Sequence, residues 1–252
     1  VYFDDNGKIP LLGAVKAAED VRLKAAPPRG YQPIEGPAAY NTAVQNLLFG
    51  KDSMLLANGQ VITAQAIGGT GALKIGADYL KRLNPDAKVY ISDPSWENHR
   101  ALFESAGFVV ESYPYYDAAT RGVNFAGMKD CLSKMAPGSV VLLHACCHNP
   151  TGADLTDAQW AEVVDLCKER GLVPFLDMAY QGFADGIDAD AVAIRAFSAS
   201  GLQFFASSSF SKNFSLYGER VGALSVVTAS KEESARVMSQ VKRVIRTNYS
   251  NP

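Results

Sequence analysis

The sequence Ser-Phe-Ser-Lys at residues 209–212 places one lysine among hydroxyl groups, and Arg220 follows eight residues later. Hydroxyls and a guanidinium suit a phosphate group, and a lysine beside them is suited to Schiff-base formation with a carbonyl compound. Pyridoxal phosphate (PLP) carries both groups, and a lysine is its usual anchor. A surface lysine in a serine-rich loop is the alternative, and this segment alone leaves both interpretations open.

A glycine-rich segment and a carboxylate could belong to the same site. Gly-Gly-Thr-Gly at residues 68–71 precedes a helical pattern, where backbone N–H groups and the helix dipole favour a phosphate. An ordinary tight turn has the same composition. Asp177 ends an apolar strand pattern, so its carboxylate needs a partner, and a protonated pyridine nitrogen would serve. Tyr180 follows closely enough to share the site.

Trp96 and Asn149 also come directly after predicted strands. Trp96 is placed to stack on a flat cofactor, although a tryptophan that fills the core or caps a helix is the alternative. Asn149 opens the sequence Asn-Pro-Thr-Gly, where a turn is expected in any case.

A second cluster, at His144, Cys146, Cys147 and His148, contains potential metal ligands. Neighbouring residues of a strand point to opposite faces, and no second ligand pair with a metal-binding spacing completes the cluster. The sequence therefore predicts no metal site.

Helical and strand-like patterns alternate along the chain. Apolar residues 139–145 form a continuous run typical of a strand buried on both faces. Thr156 and Gln159 form a capping box, and the helix that it opens is expected to end at Gly171. Alternating strands and helices predict an α/β fold with a mainly parallel sheet, which binds ligands at the carboxyl ends of its strands.

Composition narrows the class of protein. The 252 residues are 48% hydrophobic, which suffices for a full core, and a net charge of −2 gives no reason to expect nucleic acid or an acidic membrane surface. We see no signal peptide and no apolar run that would span a bilayer. The four cysteines include no C-x-x-C pair, which favours reduced thiols in a cytoplasmic protein.

Seven short motifs together resemble the class I aminotransferases, in the order found in that family. They lie at residues 68–73, 93–99, 147–152, 177–180, 209–214, 217–222 and 246–252. The chain is similar to the aspartate and aromatic-amino-acid branch, and most similar to the bacterial aromatic-amino-acid enzymes. The resemblance implies a fold-type I large domain with a seven-stranded sheet. It also implies PLP-dependent transamination between an aromatic or dicarboxylic L-amino acid and a 2-oxo acid such as 2-oxoglutarate.

The resemblance assigns roles by position. Lys212 holds PLP and moves a proton, Asp177 pairs with the pyridine nitrogen, and Tyr180 hydrogen-bonds the ring oxygen. The remaining cofactor-binding residues are Gly69, Thr70, Trp96, Asn149, Ser209, Ser211, Arg220 and Tyr31 of a neighbouring subunit. Substrate contacts are implied for Trp96, Asn149, Tyr31 and Arg246, the last reaching the distal carboxylate of a dicarboxylic substrate. His99 and His144 fall where partners of the aspartate lie.

The resemblance also implies how the chain is divided and assembled. Residues 1–8 correspond to a remnant of an N-terminal small-domain segment, and residues 9–252 to the PLP-binding large domain. The C-terminal small domain, with the arginine that grips the substrate α-carboxylate, is expected to be absent. The family implies a homodimer with shared active sites. Gly68 stands where aspartate-specific relatives often have serine, so one phosphate hydroxyl is expected to be lost.

Two alternatives remain open at the level of sequence. Ser209 and Lys212 match the S-x-x-K pattern of serine acyl-enzymes, but that pattern should open a helix instead of following a strand. The chain could also hold PLP or a partner subunit without catalysing a reaction.

Overall fold

The computed structural model describes residues 1–251, which form an α/β fold around one large sheet. The strands are β1 (Val61–Ile67), β2 (Lys88–Asp93), β3 (Val109–Pro114), β4 (Tyr116–Asp117), β5 (Gly122–Val123), β6 (Val140–His144), β7 (Val173–Met178), β8 (Phe204–Ser209) and β9 (Val221–Val227). The helices are α1 (Gly13–Ala25), α2 (Ala38–Phe49), α3 (Met54–Ala57), α4 (Gly68–Leu83), α5 (Glu97–Ser105), α6 (Phe125–Lys134), α7 (Asp157–Arg170), α8 (Val192–Ala199) and α9 (Lys231–Asn248).

The large sheet has seven strands in the order β1-β9-β8-β7-β6-β2-β3. Strand β9 pairs antiparallel with both of its neighbours, and the remaining pairs are parallel. Six strands therefore run in one direction, which confirms the predicted mainly parallel sheet. Strands β4 and β5 form a separate two-stranded sheet.

Helices cover both faces of the sheet. One face packs against α2, α6, α7 and α8, with Phe197 and Trp160 among the buried side chains. The other packs against α4, α5 and α9, with Phe103 and Ile245 among them. Because both faces are covered, the central strands are largely apolar before their carboxyl ends, and every residue of β6 is buried.

Local sequence signals fix several element ends. Thr156 accepts a hydrogen bond from the Gln159 backbone while the Gln159 side chain accepts one from Thr156, so the predicted capping box is present. Gly171 adopts the left-handed conformation at the end of α7, with φ of 62°. Gly107, after α5, has φ of 91°.

Helices α1, α2 and α3, in the first part of the chain, were not predicted from the sequence. Helix α1 has no buried residue within Gly13–Ala25, and it precedes the sheet. Within residues 1–251, no helix combines the length and apolar character needed to cross a membrane.

Candidate active site

A cavity of about 340 Å³ opens at the carboxyl ends of the parallel strands. It brings together ten of the residues that the sequence singled out. They are Gly69, Thr70, Trp96, Asn149, Asp177, Tyr180, Ser209, Ser211, Lys212 and Arg220. His144 and Tyr217 line the same cavity.

Sheet register places Asp177 at the centre of this site. On β7, Asp177 pairs with His144 of β6 on one side and with Ser207 of β8 on the other. The side chain is only 7% exposed, so a charged carboxylate requires compensating partners.

Two side chains supply that compensation. His99 Nε2 lies 2.8 Å from Asp177 Oδ2, and Ser207 Oγ donates to Asp177 Oδ1 over 2.6 Å. Burial raises the pKa of the Asp177 carboxyl, but the hydrogen bonds from His99 and Ser207 outweigh burial and hold the pKa below its ordinary value. Asp177 is therefore an anion at neutral pH.

A directed chain of hydrogen bonds leads away from Asp177. The Asn149 backbone N–H donates to His144 Nδ1 over 3.3 Å, so Nε2 of a neutral His144 carries the proton and faces Ser95 Oγ at 3.3 Å. Ser95 then donates to His99 Nδ1 over 2.9 Å, which leaves His99 Nε2 as the donor to Asp177.

Burial keeps His144 neutral. It lowers the pKa of His144 well below the ordinary histidine value, and the neighbouring imidazoles of His99 and His148 lower it further. The chain of hydrogen bonds from Asn149 to Asp177 therefore places the proton of His99 on Nε2, where it faces Asp177.

Lys212 lies in the turn that follows β8. Its Nζ is 4.8 Å from the centre of the Tyr180 ring. Burial lowers the pKa of Lys212; Asp177 opposes that change and Arg220 adds to it. Burial also raises the pKa of Tyr180, and the charge of Asp177 raises it further, so the phenol keeps its proton. The site thus combines an amine that loses its proton more readily than usual with a retained phenol donor.

The start of α4 and the loop after β8 form one cradle. The Gly68 N–H donates to the Arg220 carbonyl over 2.8 Å. A Cβ at Gly68 would lie 2.4 Å from Arg220 Nη2, and a Cβ at Gly69 would lie 3.0 Å from Ser209 Cβ. Glycine at both positions lets the α4 N-terminus, Ser209 and the Arg220 guanidinium converge, which is a suitable arrangement for an anion.

Trp96 immediately precedes α5 and reaches the cavity. Its ring meets His99 edge-on, with ring centres 5.1 Å apart and planes at 86°. Trp96 also packs against the core cluster that α4 and α5 share. The structure therefore combines the two sequence interpretations, a cavity-lining and a packed tryptophan.

Tyr31 and Arg246 do not line this cavity. Tyr31 is 91% exposed, and Arg246, near the end of α9, donates to Ser250 Oγ over 3.0 Å. Their predicted roles concern a neighbouring subunit and stay predictions.

Sequence reasoning missed Ser95 and Ser207 as members of the site. Ser95 lies four residues before His99, a spacing that allows contact at a helix start, but its second contact comes from β6. Ser207 lies two residues before the cavity-lining Ser209 and therefore on the same face of β8, a spacing that could have identified it. Ser209 is the last residue of that strand, so S-x-x-K does not open a helix here.

Residues 1–252 match the family description "Aminotransferase class I and II" over the whole chain. The chain belongs to this aminotransferase family. The chain is 67% identical over 252 residues to an aspartate aminotransferase of Pseudomonas aeruginosa, covering 100% of the chain and 63% of that protein. It is 52% identical over 254 residues to the aromatic-amino-acid aminotransferase of Escherichia coli, covering 100% of the chain and 64% of that protein.

A solved structure agrees with this assignment. The aromatic-amino-acid aminotransferase of Burkholderia pseudomallei, covalently bound to pyridoxal phosphate, superimposes with a TM-score of 0.99 at 68% identity. The match covers 100% of the chain and 63% of that structure. The chain thus spans somewhat less than two thirds of the length of these relatives.

Proposed function

We propose that this protein is a PLP-dependent aminotransferase. It would exchange an amino group between an aromatic or dicarboxylic L-amino acid and a 2-oxo acid such as 2-oxoglutarate. The observation that carries the proposal is the convergence of Asp177, Lys212 and Arg220 around one cavity. Relatives named for aspartate and for aromatic amino acids support the two substrate classes.

The residues of the cavity fit PLP. The α4 N-terminus, Thr70, Ser209, Ser211 and Arg220 suit its phosphate, and a Cβ at Gly69 would begin to fill that space. In the same cavity, the ionised Asp177 suits a protonated pyridine nitrogen. Trp96 is assigned to stack on the ring, while Asn149 and Tyr180 are assigned to its 3-oxygen.

When bound, PLP supplies an electron-withdrawing ring that stabilises negative charge next to the substrate α-carbon. Asp177 would keep the pyridine nitrogen protonated and so preserve that capacity. Lys212 would attach the cofactor and then accept and return the α-proton at Nζ, for which its lowered pKa suits it. Tyr180 would donate its retained phenol proton as a hydrogen bond.

We also propose the wider organisation that the family implies. Residues 1–8 would belong to a small domain and residues 9–252 to the large domain. Two copies would form a homodimer in the cytoplasm, with Tyr31 and Arg246 each completing the partner's site. The exposure of both side chains is compatible with such contacts. Trp96 and Asn149 would contact the substrate from within the subunit.

Lys212→Ala in the full-length protein tests the proposal. After incubation with PLP and borohydride reduction, the wild type should retain PLP covalently and Lys212→Ala should not. Lys168→Ala, at an exposed position on α7, is the matched control and should behave as the wild type. Transamination of phenylalanine and aspartate is measured in parallel.

The outcomes separate the alternatives. PLP retention in Lys212→Ala would show that another lysine holds the cofactor. Retention in the wild type with no turnover on either amino acid would instead identify a PLP-binding protein without catalysis.

A further inference from the structure

Two adjacent cysteines follow β6 and are not among the residues that line the cavity of the proposed site. Cys146 Sγ, Cys147 Sγ and a carboxylate oxygen of Asp190 all lie within 4.8 Å of one another. Across residues 1–251 no other set of three or more histidine, cysteine or acidic side chains is so closely grouped. In the sequence these cysteines lie beside His144 and His148, but in the structure the third possible ligand is Asp190, from a distant segment.

The turn that carries the cysteines is held in a defined shape. Cys147 has φ of 48°, in the left-handed region that few residues with a side chain adopt. The backbone N–H groups of Cys147 and His148 donate to the Asp154 carboxylate over 2.6 and 2.8 Å. The two thiols are therefore brought together before any ligand arrives.

Asp190 is equally fixed. Its carboxylate is buried and accepts backbone N–H groups from Gly182, Ala184 and Asp185 over 2.7, 3.1 and 2.9 Å. A carboxylate has about four acceptor positions, so one remains beyond these three bonds. Asp190 thus combines a locked orientation with capacity for one more ligand.

The surroundings favour a cation. A cavity of about 400 Å³ beside Cys146 is lined by several aspartates, among them Asp154, Asp185 and Asp190. Arg195 is the cationic side chain in this lining, and its guanidinium is paired with Asp188 over 2.6 Å. The negative charges therefore outnumber the positive one near the thiols.

The sulfur atoms favour a soft cation in particular. Cys146 Sγ also lies 3.5 Å from Met178 Sδ, so this thiol has a sulfur neighbour besides Cys147. Thiolates select soft and borderline metals over Mg²⁺ or Ca²⁺.

We propose that Cys146, Cys147 and Asp190 form a binding site for a thiophilic divalent cation of the Zn²⁺ or Cd²⁺ type. Tetrahedral ligands at about 2.3 Å from Zn²⁺ would lie roughly 3.8 Å apart, so small side-chain rotations would suffice. Binding converts two thiols into thiolates and releases both protons to solvent, and solvent or a nearby oxygen completes the coordination.

Binding there would act on the turn before Asn149. Asn149 is two residues after Cys147, and Met178 directly follows Asp177. A cation that cross-links Cys147 to Asp190 should therefore stabilise the loop that carries Asn149, even though it does not enter the cavity.

Titration of the reduced, PLP-saturated protein with Cd²⁺ tests the site. Cd²⁺–thiolate bonds absorb in the ultraviolet, so the band counts the coordinated cysteines. The wild type should saturate at one equivalent and release about two protons per cation. Cys147→Ala and Cys146→Ala should each lose about half of the band and bind Cd²⁺ roughly 100-fold more weakly, because loss of outer partners alone costs 10–100-fold in known sites.

Cys131→Ala is the matched control, because this half-buried thiol on α6 is outside the cluster. It should retain the full band. Asp190→Asn adds a second measurement, and should weaken binding while both thiolate bonds persist. An unchanged band in Cys147→Ala, or an equal loss in Cys131→Ala, would overturn the proposal, as would the absence of a band in the wild type.

Discussion

Ser207 Oγ donates to Asp177 Oδ1 over 2.6 Å, across the pairing of β7 and β8. The next residue, Ser208, is also buried, but within the described chain its hydroxyl has no hydrogen-bond partner. The two serines are matched in size and burial and differ in their contact with the carboxylate. Replacing each serine in turn therefore measures how much the contact with Asp177 contributes to the free energy of unfolding.

Ser207→Ala should lower the free energy of unfolding by about 2 kcal/mol at neutral pH, because a buried hydrogen bond to a charged group is lost. Ser208→Ala should change it by less than about 0.5 kcal/mol, since no bond is broken. Urea unfolding of both variants measures the difference. Equal losses would mean that the hydroxyl of Ser207 stabilises the strand and not the anion.

The hydrogen bond between Ser207 and Asp177 also predicts how stability depends on pH. The pKa of Asp177 is lowered by folding, so its stabilising effect is present above the unfolded value of about 3.9 and is lost as pH falls through the folded value. Ser207→Ala should raise the folded pKa towards the unfolded one. The stability difference between wild type and Ser207→Ala should therefore shrink as pH falls below about 4. A difference that stays constant with pH would exclude Asp177 as its source.

Asp177→Ala should leave PLP bound through Lys212 but slow α-proton abstraction by several orders of magnitude, on the order of 10³-fold as for other preorganised electrostatic partners. The reason is that an unprotonated pyridine nitrogen withdraws electrons poorly. Asp177→Glu should retain more activity because it keeps the charge. Single-turnover kinetics with α-deuterated substrate measures the step, and equal rates in wild type and Asp177→Ala would refute the proposed role.

Gly222→Ala should destabilise the protein by about 1–3 kcal/mol and weaken PLP binding. Its new Cβ would lie 2.3 Å from the Gly68 carbonyl carbon, and this backbone atom cannot rotate away as a side chain would. The start of α4 would have to move. Gly218→Ala is the control, because the described chain places nothing within 4 Å of its Cβ. Urea unfolding and PLP titration should separate the two variants, and equal behaviour would contradict the packing argument.

Arg246→Ala in the full-length protein should lower kcat/KM for aspartate and glutamate by roughly 30-fold or more, because a guanidinium partner for the distal carboxylate is lost. Phenylalanine and tyrosine carry no such charge and should be largely unaffected. Arg243→Ala, three residues earlier and also exposed on α9, should spare both classes. A uniform loss across both classes in Arg246→Ala would assign Arg246 to the fold or the dimer.

Sequence periodicity predicted the central strands well because they are apolar and bounded by turns. Strand β1 was not predicted, since Thr63 and Gln65 interrupt its apolar residues and its pairing with β9 joins distant parts of the chain. Helix α4 begins at Gly68 and so includes the glycine-rich residues that were expected to precede it; the Gly68 N–H donates to the carbonyl of Arg220. Glycines alone favour a loop, and this long-range contact overrides their preference.

The candidate site was largely predictable where residues end strands. Asp177, Asn149 and Lys212 converge because parallel strands carry their carboxyl ends to one edge. The links from Asp177 through His99 and Ser95 to His144 were not predictable in detail. They depend on which side chains face each other across β6, β7 and α5, and sequence spacing does not contain that information.

The register between β7 and β8 sets the distance between Asp177 and Lys212. This distance depends on the hydrogen-bonded pairing of the two strands, in which Asp177 lies opposite Ser207. It does not depend on the length of the segment that joins the strands. Insertions or deletions in the exposed loop around Asp185 should therefore leave the carboxylate-to-amine distance intact, whereas slipping β8 by one residue would turn Ser207 away from Asp177. Evolution is thus free to vary the length of the connection, but not the alignment of the two strands.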